Sequence, residues 1–166
     1  MDLYTTERRL SRAFDASSRH GAIGEHALIG DGTSCALVGV DGTISWLCLP
    51  RFDSPSVFAA LLDDERGGRF RVGPADDGYA SLQSYDEGTN VVQTLFRTAT
   101  GVAQLTDFMP WSGDDEHFSV HEVHRRVDVR EGSFDLEVVF DPRFDYARGD
   151  TRVVPSEHGA LAEGPN

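Results

Sequence analysis

From residue 33 onward the chain breaks into short runs of apolar and β-branched residues separated by glycine turns. Residues 33–40 and 43–49 are two such runs, with Asp41-Gly42 between them. Asp-Gly between strand-like segments is a strong hairpin signal, because a type I′ turn needs positive φ at both central residues. With a loop of those two residues alone, Leu37 faces Trp46 and Cys35 faces Cys48; a longer turn shifts the register. On that hairpin Trp46 shares a face with Leu37, Ile44 and Cys48, which predicts a packed tryptophan.

Pro50 ends the second run. Ser54-Pro55 reads as a helix N-cap followed by proline at the first helical position. Val57, Phe58, Leu61 and Leu62 supply one apolar face of a two-turn helix, which Gly67-Gly68 stops. Residues 69–72 resume as a strand and 73–78 form a loop. Thr100-Gly101 joins strands over 90–98 and 102–108, and Glu131-Gly132 joins strands over 117–129 and 133–140. The last of these alternates most clearly, with Phe134, Leu136, Val138 and Phe140 on one face. Residues 159–163 begin a further strand. The pattern predicts a mainly β, antiparallel sandwich over 21–166 with one short helix. Residues 1–20, with Leu10 and Phe14 four apart between arginines, predict a helical or disordered leader. A sandwich ending after 159–163 leaves an unpaired edge, an internal reason to expect a truncated chain.

Composition changes this picture in two respects. Hydrophobic residues make up 39% and glycines number 17, which suits short strands and many turns. Net charge is −13, and all 15 basic residues are arginine. Such a surface repels phosphate backbones and anionic membranes, so neither nucleic acid nor membrane is an expected partner. An acid-rich, lysine-free composition fits a high-salt cytoplasm; codon bias in a GC-rich genome is the alternative. Met1 to His20 has no apolar run of the signal-peptide kind, and no segment approaches a membrane span, so a cytoplasmic location is expected.

The blocks Ile29-Gly30-Asp31-Gly32, Ala36-Leu37-Val38 and Asp41-Gly42-Thr43-Ile44-Ser45-Trp46-Leu47-Cys48-Leu49-Pro50-Arg51-Phe52-Asp53-Ser54-Pro55-Ser56-Val57-Phe58 carry a resemblance. So do Thr89-Asn90-Val91, Thr106-Asp107-Phe108-Met109-Pro110 and Asp141-Pro142-Arg143-Phe144-Asp145-Tyr146. In order and spacing they resemble the N-terminal domain of glycoside hydrolase family 15, in its bacterial and archaeal glucoamylase and trehalase branch. The stretch from Trp46 to Phe58 is the specific part. The family usually carries aspartate where this chain has Ser45. The resemblance implies a super-β-sandwich preceding an (α/α)6 barrel that supplies both catalytic acids, with loops of the sandwich reaching the rim of the barrel's site. The implied partner is an α-glucan or trehalose, met through that barrel. The alternatives are a stand-alone carbohydrate-binding or structural β module, and an inactive truncated gene product.

Inverting hydrolysis needs two carboxyl groups roughly 6.5–9.5 Å apart, one of them with a raised pKa. Asp53, Asp107 and Asp145, each beside an aromatic or a proline in a family-like block, are the carboxylates considered, and strand-end aspartates in Pro-rich turns are usually caps. No catalytic residue is therefore assigned. The candidate substrate-binding or inter-domain contact residues are Pro50, Arg51, Phe52, Asp53 and Trp111. Arg51 and Asp53 are two apart and face the same side of an extended segment; they suit a mutual pair, an anchor to the barrel or a sugar contact. Trp111 follows Met109-Pro110 in a loop and is expected to be exposed. His117, His121 and His124 do not converge as metal ligands on a strand, so no metal and no cofactor are expected. Cys35 and Cys48, if directly opposed, have Cα atoms ~4.5 Å apart, at the short end of disulfide geometry. A reducing compartment argues instead for adjacent thiols.

Overall fold

The computed structural model describes residues 23–111 and 120–164. The leader expected over 1–20 and His117 lie outside these residues. Strands β1 (His26–Gly30), β2 (Cys35–Gly39) and β3 (Thr43–Cys48) form an antiparallel meander. β3 pairs antiparallel with β4 (Ser56–Phe58) at Leu47 and Cys48 and with β5 (Arg69–Pro74) at Thr43 and Ile44. The second sheet runs β6 (Ala80–Tyr85), β7 (Val92–Arg97), β8 (Gly101–Phe108), β9 (His124–Gly132) in sequence order, all antiparallel. β10 (Leu136–Asp141) returns to the first sheet beside β5. A helical turn, α1 (Phe144–Ala147), and a separate hairpin, β11 (Arg152–Ser156) with β12 (Gly159–Glu163), follow.

The two sheets face each other across one core. Ile29, Val38, Ile44 and Leu47 of the first sheet pack with Val92 of the second, and Val72 packs with Phe96 and Leu105. This mainly β, antiparallel architecture is the one the alternation implies. Three local expectations are corrected. The segment expected as a helix over 57–62 is strand β4 followed by turns, because β3 offers Leu47 and Cys48 as partners for Phe58 and Ser56. Among the described residues the one α-helical segment is α1 instead, and it is left-handed over Asp145, Tyr146 and Ala147, with φ of 50°, 59° and 56°. Glu131-Gly132 does not close a hairpin. β9 pairs with β8 and β10 pairs with β5, so the chain crosses between sheets there. Gly132 permits this at φ 59°, and a Cβ there would lie 2.0 Å from the Thr100 carbonyl oxygen.

The first hairpin is a subtler case. Its loop has three residues, with Gly42 N–H donating to Gly39 O and Gly42 at φ 79°. That is a turn followed by a left-handed residue, not a two-residue type I′ turn. A Cβ on Gly42 would sit 2.1 Å from Val72 O, so this glycine is also sterically required. The extra loop residue is offset by a bulge: Val38 pairs with Ile44, Leu37 pairs with Trp46, and Ser45 is left over. The Leu37–Trp46 pairing thus matches expectation by two compensating shifts. The bulge also sends Ile44 and Leu47 together into the core and takes Trp46 out of it. Trp46 is half-buried, its ring centroid 6.2 Å from that of Tyr146. Cys35 and Cys48 are both free thiols, and burial raises the pKa of each.

The two long margins of the sandwich differ. β1 lies at one margin near β6, and side chains satisfy its outer backbone groups. The Tyr85 hydroxyl accepts from Leu28 N–H at 2.7 Å and donates to Leu28 O at 3.0 Å. Asn90 Nδ2 donates to Gly30 O at 2.6 Å, and Gln83 Nε2 reaches the carbonyls of Val38 and Gly39. At the other margin, Arg125 of β9 spans the sheets. It donates twice to Asp107, at 2.8 and 3.2 Å, then to Phe70 O at 2.7 Å and Gly42 O at 2.6 Å.

Candidate functional site

The five candidate residues come from two segments that meet at one turn. Asp31-Gly32-Thr33-Ser34 connects β1 to β2, and its aspartate organises it. Asp31 Oδ1 accepts from Thr33 N–H at 2.8 Å, the Thr33 hydroxyl at 2.8 Å and Ser34 N–H at 2.7 Å. This is the self-capping that short polar side chains give to turns. Burial pushes the Asp31 carboxyl up, but these bonds, with His121 nearby, outweigh it and hold the group below the ordinary 3.8. Asp31 Oδ2 is buried and accepts no hydrogen bond among the described residues; His121 Nδ1 lies 3.7 Å from it.

The loop bearing Pro50, Arg51, Phe52 and Asp53 is tied to that turn by backbone. Phe52 N–H donates to Thr33 O at 3.0 Å, and the Ser34 hydroxyl donates to Cys48 O at the loop's base. The loop also closes on itself, with Ser54 N–H to Arg51 O at 3.0 Å and Arg51 N–H to Ser54 Oγ at 3.1 Å. Ser54 therefore caps a turn and not a helix. Phe52 stands at the tip, 65% exposed. Of the three uses open to Arg51 and Asp53, the mutual pair is present: Arg51 Nε to Asp53 Oδ1 is 2.9 Å, both side chains well exposed. The Arg51 guanidinium holds the Asp53 carboxyl below its ordinary range.

Trp111 approaches the same turn from β8. Its indole lies 3.9 Å from where a Cβ on Gly32 would be, and it is 69% exposed. Gly32 has φ 89°, so a side chain there would be strained as well as crowded. The turn thus has Phe52 and Trp111 as exposed aromatics on its flanks, an exposed Arg51–Asp53 pair, and Asp31 with His121 beneath.

This arrangement can bind more readily than it can react. Aromatic faces suit the C–H faces of a polyol ring, and an exposed arginine–carboxylate pair suits its hydroxyls. Of the other two carboxylates considered, Asp107 is fully buried and locked to Arg125, and Asp145 lies in the left-handed turn of α1, 3.6 Å from Arg148. Burial raises the Asp107 pKa, opposed by Arg125. Among the described residues no cluster of histidine, cysteine, aspartate and glutamate is arranged to hold a metal. His124 stacks on Phe108 with ring centroids 4.9 Å apart, and its Nε2 is 2.8 Å from Glu122.

Two features had little signal in the sequence. Asp31 as organiser of the site is legible only as an Asp-Gly-Thr-Ser turn signature. The second is the set around Tyr146, whose N–H donates to the fully buried Ser56 hydroxyl at 2.9 Å and whose ring meets Trp46. No pattern in the sequence announces three consecutive left-handed residues. Ser45, where the resembled family has aspartate, is buried with a hydroxyl that makes no hydrogen bond among the described residues.

The fold and this turn-centred site define an antiparallel β domain that presents loops at one end. Its sequence says which one. The trehalase-like N-terminal family model matches residues 9–166, and the chain belongs to that family. It is 38% identical over 141 residues to a trehalase of Thermoplasma volcanium, covering 82% of this chain and 22% of that protein. It is 32% identical over 141 residues to a trehalase of Mycolicibacterium smegmatis, covering 76% of this chain and 21% of that protein. With trehalase 1 of Sulfolobus acidocaldarius it shares 48% identity over 82 residues, 49% of this chain and 14% of that protein. The chain therefore spans about a fifth of the length of the first two. No solved structure matches it.

Proposed function

We propose that this chain serves as the non-catalytic N-terminal domain of a trehalase-type glycoside hydrolase, packing on a catalytic domain and shaping the sugar-binding side of its active site. The observation that carries the reading is the convergence of Arg51, Phe52, Asp53 and Trp111 on the Asp31 turn. Exposed aromatics on a rigid, hydrogen-bonded turn are suited to a binding surface, since the backbone costs little to order on contact. The substrate class is an α-glucosidic sugar, trehalose in the first place, because the relatives that match along most of this chain are trehalases. Bond cleavage is assigned to groups outside this chain. The loop end here supplies an aromatic wall and an ion pair at the rim.

The test is kinetic. In a full-length trehalase carrying this domain, Phe52→Ala and Arg51→Ala are expected to raise KM for trehalose roughly tenfold, the loss of about 1.4 kcal/mol of binding. The expected kcat is close to that of the parent. A change in thermal stability with KM intact would show that the loop is only an anchor. The chain alone is expected to release no glucose from trehalose or maltose. Turnover by the isolated chain would overturn the reading.

A further inference from the structure

The two cysteines sit at the root of the candidate site, one on each segment that meets there. Cys35 opens β2 and directly follows the Asp31-Gly32-Thr33-Ser34 turn, and Cys48 closes β3 two residues before Pro50. The bulge at Ser45 lies between the Leu37–Trp46 pair and the Gly42 loop, so the other end of the ladder keeps its register. Ala36 opposes Leu47, and one further step along that ladder sets Cys35 against Cys48. Directly opposed residues of an antiparallel pair have Cα atoms about 4.5–5.5 Å apart, within the roughly 4.4–6.8 Å that a disulfide bridges. Ala36 and Leu47 point into the core, so both cysteines leave the sheet on its outer face. The thiols are close enough that a charge on Cys35 raises the Cys48 pKa.

Their exposure differs. Cys48 is fully buried, opposed on its other side by Ser56 of β4, and the Tyr146 hydroxyl hydrogen-bonds its thiol. Cys35 is partly exposed. Burial raises both thiol pKas, so position, not intrinsic reactivity, sets this pair apart. An accessible thiol beside a second, sheltered one is the arrangement of an attacking and a resolving cysteine. The backbone around them is already cross-linked by hydrogen bonds: the Ser34 hydroxyl donates to Cys48 O, and Phe52 N–H donates to Thr33 O. A sulfur–sulfur bond would run parallel to these two contacts and needs no change of register.

We propose that Cys35 and Cys48 form a reversible intramolecular disulfide site, oxidised by a small-molecule disulfide of the glutathione type, which staples the Asp31 turn to the base of the Pro50–Asp53 loop. Cys35 loses its proton to solvent and attacks one sulfur of the small disulfide. That sulfur–sulfur bond breaks, and one small thiolate leaves and takes up a proton. Cys48, deprotonated in turn, attacks the Cys35 sulfur of the mixed disulfide and expels the second small thiol. Two cysteine thiols are thereby oxidised to one disulfide, and one small disulfide is reduced to two thiols. The bond rests on the register alone. Only its bearing on sugar contact rests on the functional reading above, through a loop ordered before the sugar arrives.

The experiment incubates the chain with oxidised glutathione and follows intact mass, free thiols and amide hydrogen exchange. The expected product is a monomer lighter by two hydrogens, with no free thiol and no retained glutathione, and a dithiol reductant restores the starting mass. Cys48→Ala is expected to stop at a glutathione adduct on Cys35, and Cys35→Ala to leave Cys48 unmodified. In the oxidised chain the Ser34 and Phe52 amides should exchange roughly tenfold more slowly, while those of the separate β11–β12 hairpin keep their rates. Two surviving thiols, glutathione retained on the parent chain, or disulfide-linked dimers as the main product would each overturn the proposal. A bond formed without slower exchange at Ser34 and Phe52 overturns the staple. None of these results bears on the kinetic test of Arg51 and Phe52, which decides the functional reading independently.

Discussion

The two margins of this sandwich are built on the same backbone geometry and opposite side-chain chemistry. At the β1–β6 margin, Tyr85 and Asn90 complete the backbone of the edge strand β1, and Gln83 bonds to the carbonyls of Val38 and Gly39 of β2. At the β9–β10 margin, the positions that face inward are Val129, Leu136, Val138 and Phe140; Val129 and Val138 are 61% and 64% exposed, while Phe140 packs against Phe70 and Phe58. The difference shows that alternation alone marks a half-buried face without saying whether the domain itself supplies the cover. It also shows where the sandwich spends its polar groups. The polar bonds at the finished margin are exposed or half-exposed and satisfy edge groups, whereas Asp107 and Arg125 are buried deep beside the open one.

Arg125 should therefore be the most costly residue to change. Its removal leaves the Asp107 carboxylate buried without a counter-charge and strips the carbonyls of Phe70 and Gly42 of a donor. Arg125→Ala is expected to cost about 3–5 kcal/mol in urea unfolding. Arg125→Lys should recover only part of this, because one ammonium cannot span the two carboxylate oxygens and both carbonyls. A loss below about 1 kcal/mol for the alanine variant would mean that the guanidinium is not what holds β9 over β5. Val72→Ala comes next, at on the order of 2 kcal/mol, from the cavity it leaves against Phe96 and Leu105.

Acid should act differently on the two sides. Asp31, in the turn that leaves β1, has a folded pKa below 3.8, so the stability it lends is fully present above that value. It is lost as pH falls through the lower folded value. Asp107 is shifted the other way by burial, so protonation in the folded state relieves a cost and that group does not drive acid unfolding. In unfolding midpoints measured from pH 6 down to pH 2, Asp31→Asn should flatten the acid limb. An unchanged limb in that variant would remove Asp31 from the account.

Much of this was legible beforehand, and the failures have identifiable physical causes. The β7–β8 hairpin followed from Thr100-Gly101 and clear flanking runs, and the exposure of Trp111 followed from its place after Met109-Pro110. Residues 57–62 look helical because Val57, Phe58, Leu61 and Leu62 have helical spacing. β3 overrides that local preference by offering an edge to pair with. β6 gives no apolar alternation because its inward residues are Ser81, Gln83 and Tyr85; Gln83 and Tyr85 are held by hydrogen bonds to β2 and β1 and not by hydrophobic burial. The bulge at Ser45 is invisible to a period-two reading, and it alone moves Trp46 off the core face. Arg51, Phe52, Asp53 and Trp111 could be named one by one from the sequence, but the turn they gather around could not: Phe52 N–H bonds to Thr33 O and Trp111 lies against Gly32, in a turn held by the Asp31 side chain, and such contacts carry no sequence signature beyond a turn.

Tyr85→Phe tests the finished margin directly. The ring is retained, and one hydroxyl that serves both Leu28 N–H and Leu28 O is removed. Because water can partly replace it at this exposed position, the expected loss is only about 1 kcal/mol. The sharper readout is local: the Leu28 amide should exchange faster while the core amides of β7 and β8 keep their rates. Equal rates at Leu28 in both proteins would mean that water already serves that edge, and the contrast between the margins would weaken.

The smallest effect should come from Val138, and its smallness is the informative part. Val138 and Val72 are the same residue type, directly opposed in one register and on one face of the sheet. They differ in cover, Val138 lying on the edge strand and Val72 one strand further in. Val138→Ala in the isolated chain should change unfolding free energy by less than about 0.5 kcal/mol, as exposed substitutions do. Val72→Ala, one strand further in, should cost several times more. Equal losses would mean that the inward face of β10 is already packed in the free chain, and the contrast between the two margins would fail.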